Sequence, residues 1–372
     1  MPIRPSALLC GFSLLCAATC ASAGGEPPLA PSPEQLAASD IHHAPRTDGH
    51  FENNDGPLAR GSVWKWRWNA FINRLPPPPA NNYQFPIDHP DVAALKANHT
   101  RNTLTWIGHA SALLQINGVN ILTDPVFSER ASPFSFIGPK RKVAPGLALD
   151  QLPHIDVVLI SHSHYDHLDT ASVQALNQQV GGPPRFLVPL GIKQWMADKG
   201  IDNVEELDWS DHTRVSGLDF WFVPATHWSA RSLGDRNDTL WGGWAVKTPP
   251  AAAQPFSLYF AGDTGYSNDS KRIGKAFGGF DLALIPIGAY APRWFMGPQH
   301  VDPGEAVKVF QDIGAKKAIG IHWGTFELTD EPLDEPPKKL LEATKAAGLA
   351  DDAFTVLHHG QTLPLDSNAS GH

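Results

Sequence analysis

The stretch SHSHYDHLD at residues 161–169 decides the reading of this chain. It follows the apolar run Asp156 to Ile160, which predicts a strand, and precedes Ala171 to Gln178, whose spacing predicts a helix. On the turn between them, His162, His164, Asp166 and His167 place four ligand-type side chains within six residues. Imidazole nitrogens and carboxylate oxygens suit Zn²⁺. A single histidine here would read as structural, but packing does not account for four at this spacing.

Working outward, three more donors stand just past predicted strands: His227 after FWFVPAT, Asp263 after SLYFAG and His322 after AIGI. Strand ends held by a rigid sheet are where a preorganised site can be built. Each of the three alone is ordinary. Together with the turn they form a constellation of five histidines and two aspartates, enough for two metals.

The surrounding pattern is regular from about Thr103. Thr103 to Trp106 and Ala112 to Gln115 predict strands, and Asn117-Gly118 a tight hairpin turn into a third strand, Asn120 to Thr123. Further strands are predicted at Phe186 to Val188, Phe220 to Val223, Ser257 to Ala261, Leu282 to Ile285, Ala318 to Ile321 and Phe354 to Leu357. Helices are predicted at Lys193 to Lys199, Pro303 to Ile313 and Pro337 to Ala347. Asp302 before Pro303, with Glu305 beyond, supplies a side-chain cap, a residue that needs no donor and an acid in the first turn. The alternation predicts an α/β fold: two mixed sheets with helices on their outer faces, a four-layer αββα sandwich in a single domain over residues 101–372.

Residues 24–100 read as a Pro- and Ala-rich leader followed by a strand and linker region packed on that domain. Trp64, Trp66 and Trp68 alternate with Lys65 and Arg67, which predicts a short strand with a tryptophan-rich buried face; an apolar surface for lipid is the alternative. Pro76 to Pro79 form a stiff spacer. Residues 1–23 read as an export signal, with Arg4, an apolar stretch from Ala7 to Ala18 and the small-residue site Ala21-Ser22-Ala23. Cleavage before Gly24 predicts a protein of the periplasm or cell envelope; lipid attachment at Cys20 is the alternative. Cys10, Cys16 and Cys20 all lie in this segment, so the mature chain would have neither disulfides nor thiolate ligands. Losing one Arg and no acid would move the formal charge from −9 to −10, which gives no footprint for nucleic acid.

The run HxHxDH followed in order by His, Asp and His resembles the metallo-β-lactamase superfamily. By that likeness His162, His164 and His227 would hold one zinc, Asp166, His167 and His322 the second, and Asp263 would bridge them. Asp124 in ILTDP would be the buried support of the metal loop. A closer resemblance, carried by LTDPVFSERASP, IGPKR, LISHSHYDHLD, VPLGIKQWM, ELDW, LWGGWAV, FAGDTGY, IPIGAYAPRWFM, QHVDPGEAV and IHWGTF, is to N-acylphosphatidylethanolamine phospholipase D. It implies a phosphodiester hydrolase acting on a phospholipid, with two Zn²⁺ activating water and clamping the phosphodiester oxygens. Asp263 and Asp166 would be the acids at the reacting centre, with Asp263 or water protonating the leaving group. Tyr165 and His300, with Gln299 adjacent, match the positions that contact substrate.

Ala230-Arg231 stands where the family carries a basic pair. Tyr290, Trp294, Phe295 and Met296 either pack on the sheets or wall an acyl groove. His109 reads as a residue behind the metals or as a satisfied core histidine, and His358 and His359 as surface residues. The implied partner is a phospholipid, with peripheral membrane contact, and a homodimer is compatible with this reading. Two alternatives share the ligand order: a metal-dependent lactonase or small-phosphate-ester hydrolase, and a zinc-binding envelope protein without turnover.

Overall fold

The computed structural model describes Met1 and residues 31–59, 61–73, 83–249, 251–252 and 254–365. The expected export segment with its three cysteines and the proline spacer lie outside the described residues.

In chain order, a short helix α1 (Pro33–Ala37), a small hairpin β1 (Arg46–Thr47) and β2 (His50–Phe51), and two helices α2 (Val63–Asn73) and α3 (Val92–Ala97) precede the sandwich. The first sheet begins with β3 (Thr103–Gly108), β4 (Ser111–Ile116) and β5 (Val119–Thr123), and continues with β6 (Val157–Leu159), helix α4 (Thr170–Asn177), β7 (Arg185–Pro189), helix α5 (Lys193–Ala197) and β8 (Val204–Leu207). The second sheet follows: β9 (His212–Val215), β10 (Leu218–Val223), β11 (Gly243–Lys247), β12 (Ser257–Phe260), helix α6 (Asp269–Phe277), β13 (Phe280–Pro286), helices α7 (Arg293–Met296) and α8 (Pro303–Asp312), β14 (Ala315–Ile321), helix α9 (Glu335–Ala346) and β15 (Phe354–Thr355). Finally β16 (Thr362–Pro364) returns to the first sheet beside β3.

Each sheet has seven strands and the same division of labour. Hairpins make one half antiparallel, and crossovers, helical except for the long loop between β5 and β6, make the other half parallel: β5 to β8 in the first sheet, β12 to β15 in the second. Parallel strands are covered on both faces, which is why β5, β6 and the last four residues of β14 are buried without alternation. The main core fills the space between the sheets around Trp106, Trp209, Trp241, Trp244, Phe220, Phe222 and Phe260. A second cluster packs Val173 and Leu176 of α4 and Met196 of α5 on the outer face of the first sheet, against Leu122, Val158 and Phe186. Trp244 ties the layers together, since its indole N–H donates to the carbonyl of Ile160 at 2.9 Å, just ahead of the metal turn. The expected start of α8 is present: the Asp302 side chain accepts from the Glu305 amide, with Pro303 at the first position.

Two expectations fail. The Trp64–Trp68 segment is the helix α2 and not a strand, and its tryptophans are not a buried face: Trp64 and Trp68 are 85% and 63% exposed. Period-two alternation over five residues also places Trp64 and Trp68 four apart on one helix face, and Ser62 caps the helix by accepting from the Lys65 amide. His359 is not a surface residue. It is fully buried, 4.4 Å from the Trp106 ring centroid, because the turn into β16 carries it under the sheet edge.

Replacing Trp244 with alanine should cost about 3–5 kcal/mol of stability, the usual range for emptying a core tryptophan site, and denaturant unfolding monitored by fluorescence measures it.

Candidate metal centre

The C-terminal ends of the strands converge on one edge of the sandwich. Asp124 follows β5, the turn with His162 to His167 follows β6, His227 follows β10, Asp263 follows β12 and His322 follows β14. The close approach of the segments after β6 and β12 needs glycine. At Gly262, with φ +61°, a Cβ would stand 2.6 Å from that of Ser161. His109, Asp124 and His322 also hold positive φ values, so the rim concentrates backbone conformations that side chains rarely adopt.

The donors fall into two triads. In one, His164 Nδ1 stands 2.8 Å from His162 Nε2 and 3.3 Å from His227 Nε2. In the other, His167 Nε2 lies 3.1 Å from His322 Nε2, and Asp166 Oδ2 is 3.5 Å from both. Asp263 Oδ2 sits between them, 3.0 and 3.2 Å from His167 and His322, and 3.9 Å from both His162 and His227. Zinc bonds of about 2.0–2.1 Å in a tetrahedral arrangement put neighbouring donors roughly 3.3 Å apart, so the spacing fits one metal per triad and a shared carboxylate.

The outer hydrogen bonds set which ring nitrogens face inward bare. His167 Nδ1–H donates to Asp124 Oδ2 at 2.7 Å. Ser161 Oγ also donates to Asp124, so it accepts from His162 Nδ1–H at 2.9 Å. His227 Nδ1–H donates to the Gln299 carbonyl at 3.0 Å. In all three, Nε2 is the nitrogen turned toward the other donors, and on the neutral His162 and His227 it is a lone pair pointing at other nitrogens, an arrangement that calls for a cation. The buried atoms His164 Nε2 and Asp263 Oδ1 have no hydrogen-bond partner among the described residues.

Electrostatics divides the triads. Burial, with neighbouring imidazoles, holds His162 well below its usual range and His164 at about 3, and burial brings His227 to about 4, so the first triad is neutral and ready to ligate. In the second, burial opposes charge, yet the Asp263 and Asp166 carboxylates raise His167 well above its ordinary value and bring His322 to about 9. Burial likewise opposes ionisation of Asp166 and Asp263, but the facing imidazoles, His167 foremost, keep both carboxyls well below the usual range.

Around the donors lies a cavity of about 260 Å³ lined by Ala131, His164, Tyr165, Asp166, Trp228, Asp263, Ala289, Met296, Gln299, His300, Leu328 and Thr329. Of the residues expected to meet substrate, Tyr165, Gln299 and His300 line it. His300 Nδ1 is buried, has no hydrogen-bond partner among the described residues and stands 4.0 Å from Asp263. The Tyr165 hydroxyl proton is committed to the Arg231 carbonyl at 2.9 Å. Trp294 and Phe295 are outside this lining. Phe295 stacks on Trp66 at 5.1 Å and Trp294 is on the surface beneath Lys65, so α7 reaches the cavity through Met296 and turns its other aromatics to α2.

Three further residues support the donors, of which Arg231 and Trp228 were not anticipated in these roles. Arg231 donates from one guanidinium nitrogen to the carbonyls of Ser163 and Leu168 at 2.6 and 2.8 Å and lies over the Tyr165 ring, bracketing the whole ligand turn. Trp228 covers His164 edge-on at 4.4 Å. His109 is buried with Nε2 3.1 Å from Asp166 Oδ2, while Thr325 Oγ1 accepts from its main-chain N–H. Burial and His322 hold its ring at about 3, so it acts as a neutral donor. Arg231 and His109 stood out in the sequence, but nothing there gave their geometry.

The fold and the donor set define a metal-dependent hydrolase, and the chain belongs to the metallo-β-lactamase superfamily: residues 119–323 match the Beta-lactamase superfamily domain. Within it, the chain is 43% identical over 272 residues to N-acyl-phosphatidylethanolamine-hydrolyzing phospholipase D 1 of Caenorhabditis elegans, covering 69% of this chain and 74% of that one. It is 38% identical over 256 residues to the mitochondrial N-acyl-phosphatidylethanolamine-hydrolyzing phospholipase D of Saccharomyces cerevisiae, covering 67% of this chain but only 53% of that protein. A UPF0173 metal-dependent hydrolase of Methanopyrus kandleri is 31% identical over 259 residues, 70% of this chain and 98% of its own. Among solved structures, Igni18, a metallo hydrolase of Ignicoccus hospitalis, superposes with a TM-score of 0.53 at 23% identity over 71% of this chain and 98% of its own. That likeness shows the fold alone.

Replacing Asp124 with asparagine should weaken metal binding about 10–100-fold, the usual effect of losing a support behind a ligand, as read by competition with a chelator. In the metal-free protein His167 and His322 carry protons at neutral pH that a metal must displace. Affinity for Zn²⁺ should therefore fall as pH drops below about 9, the value to which His322 is raised. Calorimetry in buffers of different ionisation enthalpy counts the released protons, and a count of zero at pH 7 would contradict the assignment.

Proposed function

We propose that this protein is a two-zinc phospholipase D that cleaves N-acylated phosphatidylethanolamine to phosphatidic acid and an N-acylethanolamine. The observation that carries the lipid reading is the apolar ground beside the cavity. On α2, Trp64, Trp68 and Ile72 recur four residues apart and are all largely exposed, next to the half-exposed Trp294 of α7. We read this exposed apolar face as one that rests on the interface of a bilayer, and no helix among the described residues is long and apolar enough to cross one. The relatives from Caenorhabditis elegans and Saccharomyces cerevisiae, whose names specify this substrate, support the choice of head group.

In this reading His162, His164 and His227 hold one zinc, Asp166, His167 and His322 the other, and Asp263 both. Bound there, the two ions supply Lewis acidity toward the phosphoryl oxygens and an activated water. The chain's own groups do the rest. Trp228, Met296 and Leu328 narrow the cavity and limit bulk water. His300, kept neutral chiefly by burial, can hydrogen-bond a phosphoryl oxygen without competing as a charge. The proton that the attacking water loses passes, by way of the Asp263 carboxylate or a water beside it, to the leaving alkoxide. Acyl chains lie toward α7 and α2, where Trp294 and Phe295 form the floor. An export signal in the first residues would place the reaction in the cell envelope, which fractionation of cells making the full chain tests.

Mass spectrometry of products from N-acylated phosphatidylethanolamine decides the cleavage side: phosphatidic acid is expected, and diacylglycerol with a phosphorylated head group would overturn the assignment. Serine at Trp64, Trp68 and Trp294 together should slow turnover of vesicle lipid at least tenfold, since each lost apolar contact is worth about 1.5–3 kcal/mol. Turnover of a short soluble phosphodiester should stay near wild type. Equal losses on both substrates would remove these tryptophans from the lipid site.

A further inference from the structure

The segment ahead of α2 makes one contact with the metal centre that neither the fold nor the superfamily domain accounts for. His227 follows β10 in a stretch outside the strands, where its main-chain N–H and C=O are buried and need partners. Both go to a single side chain 174 residues away. The carboxamide of Asn53 accepts from the His227 N–H at 3.0 Å and donates to the His227 carbonyl at 3.0 Å. Asn53 is itself buried, and its oxygen also accepts from the Trp241 indole at 3.0 Å. With Nδ1–H donating to the Gln299 carbonyl, the main chain and ring of His227 are fixed at three points.

The rest of the segment exists to deliver that carboxamide. Ile41, Ala44 and Phe51 are buried in the core between the sheets. The Ala44 amide donates to Asp208, Phe51 exchanges hydrogen bonds with Asn237 through both its N–H and its C=O, and Asn54 donates to Asp269. Residues 41–55 are thus stitched to the domain on both sides of Asn53.

We propose that Asn53 is a positioning residue of the metal centre, and that residues 41–55 belong to the centre as a strap that sets where His227 places its Nε2. The inference rests on the reading of His227 as a ligand. Leucine matches asparagine in size and removes both hydrogen bonds, leaving the His227 main chain unpaired. Asn53→Leu should then bind its more weakly held Zn²⁺ about 10–100-fold less tightly than wild type, the range seen when a ligand loses its support. It should also alter the visible absorption of the Co²⁺-loaded protein, which reports ligand geometry. Phe310→Leu is the control: it opens space in the core under α8, where Phe310 packs on Phe354 outside the strap and the donor set, so it should lower the melting temperature and leave Zn²⁺ affinity and the Co²⁺ spectrum unchanged.

If Asn53→Leu does not fold, Asn53→Ser, whose hydroxyl is too short to reach both His227 groups, should show the same weakening. His227→Ala separates the two levels of the argument. Should His227→Ala lose one Zn²⁺ while the Asn53 variants keep wild-type affinity and spectrum, the positioning role is overturned and the ligand reading stands. Should His227→Ala bind two Zn²⁺ as tightly as wild type, the ligand reading falls and this inference with it. A loss of Zn²⁺ affinity in Phe310→Leu equal to that in Asn53→Leu would reduce the effect to general destabilisation and likewise overturn it.

Discussion

One buried carboxylate organises the centre. Asp124, at the end of β5, accepts from the Ser161 amide at 2.7 Å, from the Ser161 hydroxyl at 2.5 Å and from His167 Nδ1 at 2.7 Å. Burial alone raises its pKa, and these partners work against that rise. The ligand turn therefore leaves β6 already anchored to the neighbouring strand. Through Ser161 the same carboxylate reaches His162, so two ligands on different triads take their ring orientation from one residue. An unpaired carboxylate at this depth would cost several kcal/mol, so the local fold and the tautomers stand or fall together.

What the sequence made legible was whatever is local. The turn at residues 161–169 announces itself because its chemistry and its secondary structure are encoded side by side, and His227, Asp263 and His322 are legible because strand ends carry a recognisable apolar run before them. Boundaries moved by a few residues, and short strands such as β9 and β11 left no signal: β9 alternates weakly at a sheet edge, and β11 hides among the glycines of WGGWAVK. α2 was misread because five alternating residues satisfy both a strand and one side of a helix. His359 was misread because its burial depends on Trp106, more than two hundred residues upstream, and no local pattern reports such a partner.

The residues behind the ligands show the same limit more sharply. Arg231 and Asn53 hold the ligand segments by their main-chain groups, so the residues held there could be of any type and leave no compositional trace. Met296, by contrast, sits in a run whose aromatics drew the eye, and the backbone of α7 then sends Met296 to the cavity and Phe295 to Trp66. Residue type identified the right segment here, and helix geometry decided which member of it faces the metals.

The last strand has a kinetic meaning. β16 completes the first sheet by lying against β3, with Thr105 and Thr362 hydrogen-bonded across 257 positions of sequence. Pairings of such separation pay a large loop-closure cost before they contribute, and they dominate the folding rate of a domain. The edge of the first sheet therefore stays open until Thr362 to Pro364 have left the ribosome. Until then β3 offers its main-chain donors and acceptors to any extended segment nearby, which makes the unfinished chain a natural client for holding chaperones.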